Sequence, residues 1–277
     1  MRRVNYLLFL FILFACIYPQ NKSNLKKVIE FPNQFSITNF LPTNISISPT
    51  GIYFLDGSSR QIAFLSNSGD VFFAGGYGID YDALIDPIEI LSSKLLVWIV
   101  DRTENKLIEF DHKLNYLRSI EFDRIYPEFG GIDNWGNILL QSSQEQIILK
   151  SSSPIKNFDE FIDLSRLNDI NSCISDVHIA NDGTVGILSN CNNSVHLFNR
   201  LGKLENKYYL EKTEGSFLIK RKDEWFVISS EGQINSIRYN EKVKLPIEQN
   251  ILDVAQMEGK LYLLFYNKIW IVDVSME

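Results

Sequence analysis

The chain has 277 residues, of which 45% are hydrophobic, and its formal net charge at pH 7 is −7. This length is sufficient for one large β domain. The acidic balance makes the chain a poor candidate for nucleic-acid binding, which needs clustered basic residues, so no nucleic-acid partner is expected.

The first residues have the features of an export signal. Arg2 and Arg3 precede the apolar run Tyr6–Tyr18, which is too short to span a bilayer and has the length of a signal-peptide core. The run ends with Leu13-Phe14-Ala15-Cys16, which resembles the lipobox of bacterial lipoproteins, where the cysteine is lipidated and becomes the new N-terminus. The alternative is an ordinary signal peptide with an incidental cysteine.

The lipoprotein interpretation divides the chain into three parts. Residues 1–15 are predicted to be the signal peptide, residues 16–25 a lipidated flexible tether, and residues 26–277 the folded domain. The resemblance implies acyl chains on Cys16 that anchor the protein to a membrane. Ile17 occupies the position where Asp signals inner-membrane retention in some bacteria. The predicted location is therefore periplasmic or at the cell surface, with the outer membrane favoured.

A β-rich hairpin recurs along the remaining chain about every forty residues, a spacing typical of stacked or ring-shaped repeats. Six units are predicted, at 45–76, 87–122, 129–150, 174–210, 217–244 and 251–274. Asp182-Gly183 and Gly136-Asn137 are hairpin signals, because these residues accept positive φ at little cost. Phe158–Leu167 alone has some helical spacing, and it is predicted to be a short excursion between units.

The second unit and the residues that lead into it identify the kind of repeat. Gly75-Gly76-Tyr77-Gly78 is followed by Asp86-Pro87-Ile88-Glu89-Ile90 and then by two strands that run from Val100-Asp101 to Phe110-Asp111. This order resembles an NHL repeat of a β-propeller. The resemblance implies an all-β, six-bladed β-propeller, with five or seven blades as the alternatives.

The two ends of the folded domain are predicted to close the ring. The sixth unit supplies only three strands, and the strand-like run Lys27–Phe31 precedes the first unit without a partner. Pairing Lys27–Phe31 beside Lys268–Val274 would complete the last blade and remove an exposed sheet edge.

Two cysteines remain besides Cys16. Cys173 and Cys191 lie in the fourth unit, and in an oxidising compartment they are candidates for a disulfide. The alternative is a pair of buried free thiols.

Catalytic motifs are missing from the sequence. It contains no Gly-x-Ser-x-Gly elbow, no His-Glu-x-x-His and no phosphate-binding Gly-rich loop, so no catalytic residue is assigned. Of the three histidines, His112 and His196 are predicted to be solvated on outer strands. His178 lies on an innermost strand, where a structural role is favoured.

The mouth of the central channel is the candidate ligand site that a propeller implies. Asn44, Asp176 and Asp253 are predicted to converge there, with Glu89 nearby, whereas Pro87, Phe129 and Phe217 fill the other positions of the ring. Two carboxylates and an amide suit a hard cation such as calcium, the one cofactor that the pattern suggests. The cluster resembles the metal site of gluconolactonase-like propellers, in which a metal would polarise a lactone carbonyl and activate water. Alternatively, the two aspartates cap strand ends or meet solvent.

These observations favour a lipid-anchored, extracytoplasmic propeller that acts as a binding or protein-interaction scaffold and is expected to be a monomer. Its ligand would be a protein, a peptide or a glycan, and it would contact a membrane through the lipid anchor. Trp135, Tyr77, Tyr81 and Tyr126 are candidates for an aromatic binding rim. The competing function is a metal-dependent hydrolase of the gluconolactonase type. A redox propeller with a quinone cofactor has no supporting residues.

Overall fold

A computed structural model describes residues 22–123, 125–152, 154–167, 173–211, 215–239 and 241–275. These residues form six antiparallel four-stranded sheets, the blades of a β-propeller. The first strand of each blade contacts the first strands of both neighbouring blades, and these contacts form a closed ring around a central channel. The predicted six-bladed fold is confirmed.

The first three blades follow the chain without a crossover. Blade one contains β2 (Asn44–Ser48), β3 (Gly51–Asp56), β4 (Gln61–Ser66) and β5 (Val71–Gly75). Blade two contains β6 (Pro87–Ser92), β7 (Leu96–Asp101), β8 (Lys106–Asp111) and β9 (Tyr116–Glu121). Blade three contains β10 (Phe129–Ile132), β11 (Ile138–Ser142), β12 (Ile147–Ser151) and β13 (Phe158–Asp163).

The last three blades repeat the same order, except at the closure. Blade four contains β14 (Ile174–Ile179), β15 (Val185–Ser189), β16 (Ser194–Phe198) and β17 (Leu204–Tyr209). Blade five contains β18 (Phe217–Arg221), β19 (Glu224–Ile228), β20 (Gln233–Ser236) and β21 (Lys242–Lys244). Blade six contains β22 (Asp253–Met257), β23 (Lys260–Leu264) and β24 (Lys268–Ser275), and its outermost strand is β1 (Lys22–Glu30).

The chain termini close the ring as expected. β1 runs antiparallel to β24, with Lys27 opposite Ile271 and Glu30 opposite Lys268. β1 begins at Lys22, so residues 22–25, predicted as the end of the tether, belong to this paired strand. The rest of the predicted signal peptide and tether, Cys16 included, lies outside the described residues.

Two local predictions differ from the structure. The segment predicted as a helical excursion is β13 followed by the short 3-10 helix Leu164–Arg166. An outermost strand is open to solvent along one edge and on part of its surface, so its apolar and polar residues alternate only weakly. The sequence pattern of such a strand is therefore hard to recognise. The six-residue helix α1 (Asn33–Thr38), which links β1 to β2, was not predicted; it buries Phe35.

The core is divided among the six interfaces between blades. One cluster lies between each pair of neighbouring blades, because each sheet carries apolar side chains on both surfaces. Ile108 and Phe110 pack toward blade one, whereas Leu107, which directly precedes Ile108, packs toward blade three, as period-two alternation requires. This division places the channel and the two faces of the disc outside the core.

Candidate functional site

The residues predicted at the channel mouth lie on the innermost strands at equivalent positions. The ring consists, in blade order, of Asn44, Glu89, Phe129, Asp176, Phe217 and Asp253. Blade two differs from the prediction, because a register shift between Pro87 and Glu89 moves Glu89 into the ring and Pro87 out of it. A bulge of this kind leaves no signal in residue composition.

Three residues of this ring, in blades two, four and six, accept hydrogen bonds from the backbone of the next blade through their carboxylates. We call such a carboxylate a clasp. Asp176 accepts hydrogen bonds from Val177 N at 2.9 Å and, across the interface, from Leu218 N at 2.5 Å. Asp253 accepts hydrogen bonds from Val254 N and, across the interface with blade one, from Ile45 N, both at 2.7 Å.

Glu89 completes this threefold pattern. Its carboxylate accepts hydrogen bonds from the backbone of Ile90 and of Gly130 in blade three. Gly130 leaves room for this approach, since a Cβ there would lie 3.4 Å from Glu89 Cγ. Every second interface of the ring is therefore bridged by one inner-strand carboxylate.

Burial raises the pKa of all three carboxyl groups, and repulsion by neighbouring carboxylates adds to the rise for Glu89 and Asp176. Each of the three residues is half-buried, and protein surrounds the carboxyl groups themselves. Burial raises the pKa of Asp176 to about 7 against its backbone hydrogen bonds, and the charge of Asp253 adds to the rise. Burial likewise raises the pKa of Asp253 to about 6. The pKa of Glu89 lies well above its ordinary value because of burial and the charges of Asp253 and Asp176.

The geometry of the carboxylates suits a clasp better than a calcium site. Within the described ranges, no group of three or more His, Cys, Asp or Glu side chains could hold a metal ion. Asn44 accepts a hydrogen bond from Thr43 Oγ1 at 2.8 Å. Because the oxygens of Asp176 and Asp253 already accept backbone N–H groups, a cation would have to compete with the interblade hydrogen bonds.

The front face, where the innermost strands begin, has a recurrent corner in blades one and two. Buried Asp56 accepts a hydrogen bond from Leu41 N at 2.8 Å, and buried Asp101 accepts one from Ile85 N at 2.7 Å. Each carboxylate thereby fixes the connection that enters its own blade.

Blade four fixes the same corner with a disulfide. Its equivalent of Asp56 is Ser189, and Cys173 is bonded to Cys191 with a Cα–Cα distance of 5.6 Å. Cys173 lies three residues before Asp176, just as Leu41 lies three residues before Asn44. The disulfide therefore joins the two segments that a carboxylate joins in blades one and two.

The three histidines have different surroundings. His196 is 1% exposed on β16, so the predicted solvated position is wrong for this residue. His178 packs edge-on against Trp225, and burial and Lys220 lower its pKa to about 4. Lys220 lines a cleft of about 440 Å³ between blades four and five, where it is paired with Asp182 at 2.6 Å. His178 is thus neutral and packed against blade five, which fits the structural role favoured from the sequence.

The predicted aromatic rim divides between the two faces of the disc. Tyr77, Tyr81 and Tyr126 lie in connections that enter blades two and three, on the front face. Trp135 lies in the turn between β10 and β11, on the back face, where the innermost strands end. The four residues therefore do not form one rim.

The loop 76–86 on the front face carries an exposed apolar tip. Tyr77, Ile79 and Tyr81 are 79%, 104% and 84% exposed. At the base of the loop Leu84 is fully buried. The Asp86 carboxylate accepts hydrogen bonds from Arg102 Nε at 2.8 Å and from Arg102 Nη2 at 3.2 Å. The tip is therefore presented to solvent by a loop that is fixed at its base.

The back face opens into a bowl of about 610 Å³ at the end of the channel. Turns from five blades surround it, and Trp135, Leu95 and Lys94 are part of its lining. No sequence signal identified this bowl, because it is assembled from turns of five separate repeats.

The two faces differ in charge. In the described front-face connections the acidic side chains are Asp80, Asp82, Asp86, Glu104, Asp123, Glu128, Glu145, Glu211, Glu231 and Glu248, against Arg60, Arg102 and Arg166. In the described back-face turns the basic side chains are Lys94, Lys113, Lys156, Arg200, Lys203, Lys222 and Arg238, against Asp70, Asp133, Asp182, Asp223, Glu241 and Glu258. The front face is strongly acidic, and the back face is close to neutral with exposed cations.

Comparison with known proteins finds the fold but no family. No family profile matches the chain, and no curated protein sequence matches it. None of the described helices has the length and apolarity that a bilayer span requires.

Solved structures of propellers are similar to the chain at low sequence identity. A streptogramin B lyase has a TM-score of 0.62 at 15% identity, over 83% of this chain and 78% of that one. Virginiamycin B lyase from Staphylococcus aureus has a TM-score of 0.60 at 12% identity, over 92% of this chain and 100% of that one. YCF48 bound to D1 peptide has a TM-score of 0.60 at 10% identity, over 85% and 79%. At these identities the similarity shows the propeller fold alone.

Proposed function

We propose that this chain is a lipid-anchored, extracytoplasmic β-propeller of NHL type that serves as a protein-interaction scaffold. Its binding surface is the front face, centred on the loop 76–86. Its partner is a protein or peptide with a cationic surface that also offers apolar contacts.

The observation that carries this proposal is the exposed apolar tip within an acidic face. Tyr77, Ile79 and Tyr81 stand almost fully in solvent, and Asp80 and Asp82 are interleaved with them. Exposed aromatic residues on a loop with a fixed base are typical of recognition surfaces, because little conformational entropy is lost when they are covered. The surrounding carboxylates would attract a basic partner and repel an acidic one.

The anchoring part of the proposal rests on the N-terminal sequence. Arg2, Arg3, the apolar run Tyr6–Tyr18 and the lipobox-like end at Cys16 support it. The disulfide between Cys173 and Cys191 is consistent with an oxidising compartment. YCF48, a protein of similar fold, is known bound to a peptide, which is a precedent for a propeller that binds a polypeptide.

No observation favours the competing hydrolase. Its metal would need free carboxylate oxygens at the channel mouth, whereas Asp176 and Asp253 use theirs between blades. The scaffold is therefore the single function that we propose.

Site-specific photo-crosslinking in the producing cell tests the binding surface. A photoreactive phenylalanine analogue is placed at Ile79 and, as the matched control, at Leu117, which is 47% exposed on the outermost strand β9. We expect a discrete protein adduct from position 79 alone, lost when Tyr77 and Tyr81 are both changed to Ser. Equal adducts from both positions, or no adduct from position 79, would contradict the proposal.

Mass spectrometry of the mature N-terminus tests the anchor. We expect a lipid-modified Cys16 in the membrane fraction, and a Cys16→Ser variant that lacks the modification. A mature wild-type protein without lipid would remove the anchor from the proposal.

A further inference from the structure

Exposed apolar residues on the back face are neighbours of basic residues in the sequence. Leu95, Leu201 and Tyr239 are 62%, 78% and 61% exposed, and each directly follows a Lys or an Arg. Those neighbours, Lys94, Arg200 and Arg238, are exposed as well. Apolar side chains beside cations are the combination that binds the interface of an anionic bilayer.

The residues of blades two, three and four lie near one another. Leu95 and Lys94 line the same bowl as Trp135, which is 55% exposed. A Cβ on Gly183 would lie 3.4 Å from the Trp135 ring and 3.5 Å from both Arg200 Cβ and Asp133 Oδ2, so Trp135 and Arg200 are close neighbours. Arg238 and Tyr239 lie in a turn of blade five on the same face.

The direction of β1 shows on which face the N-terminal segment leaves the propeller. Glu30 pairs with Lys268 at the front face, whereas Lys22 pairs with Ser275 at the back face. The chain from Cys16 thus joins the disc at its back face. Lys22 is the sixth residue after Cys16, and a chain of this length spans at most about 20 Å.

We propose that the back face docks on the surface of a bilayer that contains anionic lipids. Leu95, Trp135, Leu201 and Tyr239 would enter the headgroup region, and Lys94, Arg200 and Arg238 would pair with lipid phosphates. The position of the bilayer rests on the proposed lipid anchor, but the docking surface rests on the back face itself. Docked in this way, the disc turns its acidic front face and the loop 76–86 away from the membrane.

Tryptophan quenching by lipids tests this orientation. The full mature protein is reconstituted in phosphatidylcholine vesicles with brominated acyl chains, with and without phosphatidylglycerol. Trp135 is the most exposed tryptophan of the described chain, so it reports on the back face. We expect quenching that increases with phosphatidylglycerol, decreases with salt, and disappears in Trp135→Phe.

Charge removal on opposite faces supplies the matched control. Loss of one cation should lower the ratio of docked to undocked protein about fivefold. The triple variant Lys94→Gln, Arg200→Gln, Arg238→Gln should therefore lower this ratio about a hundredfold. Arg60→Gln, on the front face, should leave quenching unchanged. Circular dichroism verifies that each variant is folded.

The outcomes separate this inference from the anchor. A lipid-modified protein whose Trp135 is not quenched would overturn the docking surface and leave the anchor in place. A protein without lipid that is still quenched by added anionic vesicles would support the docking surface and remove the anchor. Equal loss of quenching in Arg60→Gln and in the triple variant would also overturn the inference.

Discussion

At the residue scale, the inner-strand carboxylates hold neighbouring blades together while carrying a raised pKa. Asp176 titrates near 3.8 when unperturbed, and burial raises its pKa to about 7 in the folded protein. The folded state therefore binds this proton more tightly than the unfolded state. Its contribution to stability is complete below about pH 4 and is lost as the pH rises through about 7.

The first prediction is that the propeller is less stable in mild alkali than in mild acid. The free energy of unfolding should fall between about pH 4 and pH 7, by at most about 1.4 kcal/mol per pH unit for each proton that the folded state retains and the unfolded state has released. Asp176→Asn carries no charge, so it should flatten this slope in urea titrations across the range. Asp182→Asn is the control, because hydrogen bonds from Lys220 and Thr184 outweigh burial and lower the pKa of Asp182, which keeps its titration outside the range. An identical slope in wild type and Asp176→Asn would contradict the argument.

Asp101 supports a second prediction at this scale, which concerns a buried corner instead of a charge. Its carboxylate is 0% exposed and accepts hydrogen bonds from the backbone N–H groups of Ile85, Asp86 and Glu104. Asp101→Ala would leave these donors without their acceptor, at about 1–3 kcal/mol for each donor that stays buried.

Urea unfolding should therefore show a loss of about 3–5 kcal/mol for Asp101→Ala. Asp70→Ala is the matched control, since Asp70 accepts Ser68 Oγ at 2.6 Å in an exposed turn. That variant should cost less than about 0.5 kcal/mol. Similar losses in both variants would show that burial of the corner is not the cause.

At the element scale, the disulfide fixes the connection into blade four where other blades use a carboxylate. Cys173 and Cys191 are separated by 18 residues in the sequence. A crosslink over a loop of this length stabilises a fold by about 3 kcal/mol, mainly by restricting the unfolded chain. Reduction should lower the melting temperature of the wild type, whereas a Cys173→Ser, Cys191→Ser variant should melt lower and be insensitive to reductant. Equal melting temperatures with and without reductant in the wild type would contradict this role.

The same scale shows why most strands could be predicted and some could not. The second strand of most blades is largely buried on both surfaces, and several of these strands follow turns with Gly, Asn or Asp. Their sequence pattern is therefore easy to recognise, as after Gly183 with φ 72°. β13 and α1 were not recognised, because a half-exposed outer strand and a six-residue helix carry little periodic signal.

The candidate site was predictable in residue type but not in arrangement. Asp176, Asp253 and Glu89 were placed near the channel from repeat spacing, and the structure puts them at equivalent positions. Their use as clasps depends on which backbone N–H groups the neighbouring blade offers, which no single repeat encodes. The back-face bowl was missed for the same reason, since Leu95 and Trp135 meet only after the ring has closed.

At the scale of the whole molecule, the ring is closed by hydrogen bonds between β1 and β24. Phe31 N donates to Asn267 O at 3.1 Å, which marks this opposed pair as a hydrogen-bonded one. Hydrogen-bonded and non-bonded pairs alternate in an antiparallel ladder, so the N–H of Ile29 points to β24 and the N–H of Val28 points away. Proline at the two positions should therefore have different effects, although they are adjacent.

Ile29→Pro removes one hydrogen bond between β1 and β24 and places the proline side chain against β24. We expect the free energy of unfolding to fall by about 3 kcal/mol or more. Val28→Pro leaves the ladder intact on an outermost strand and should cost about 1 kcal/mol or less. Ile29→Ala measures the loss of the half-buried side chain alone, which packs on the cluster between blades six and one. In blade six, β24 pairs with β1, which comes from the other end of the chain. Loss of this pairing should therefore also raise the unfolding rate and allow proteolysis near residues 22–30. Equal unfolding rates for Ile29→Pro and Val28→Pro would mean that the disc does not depend on this strand for its closure.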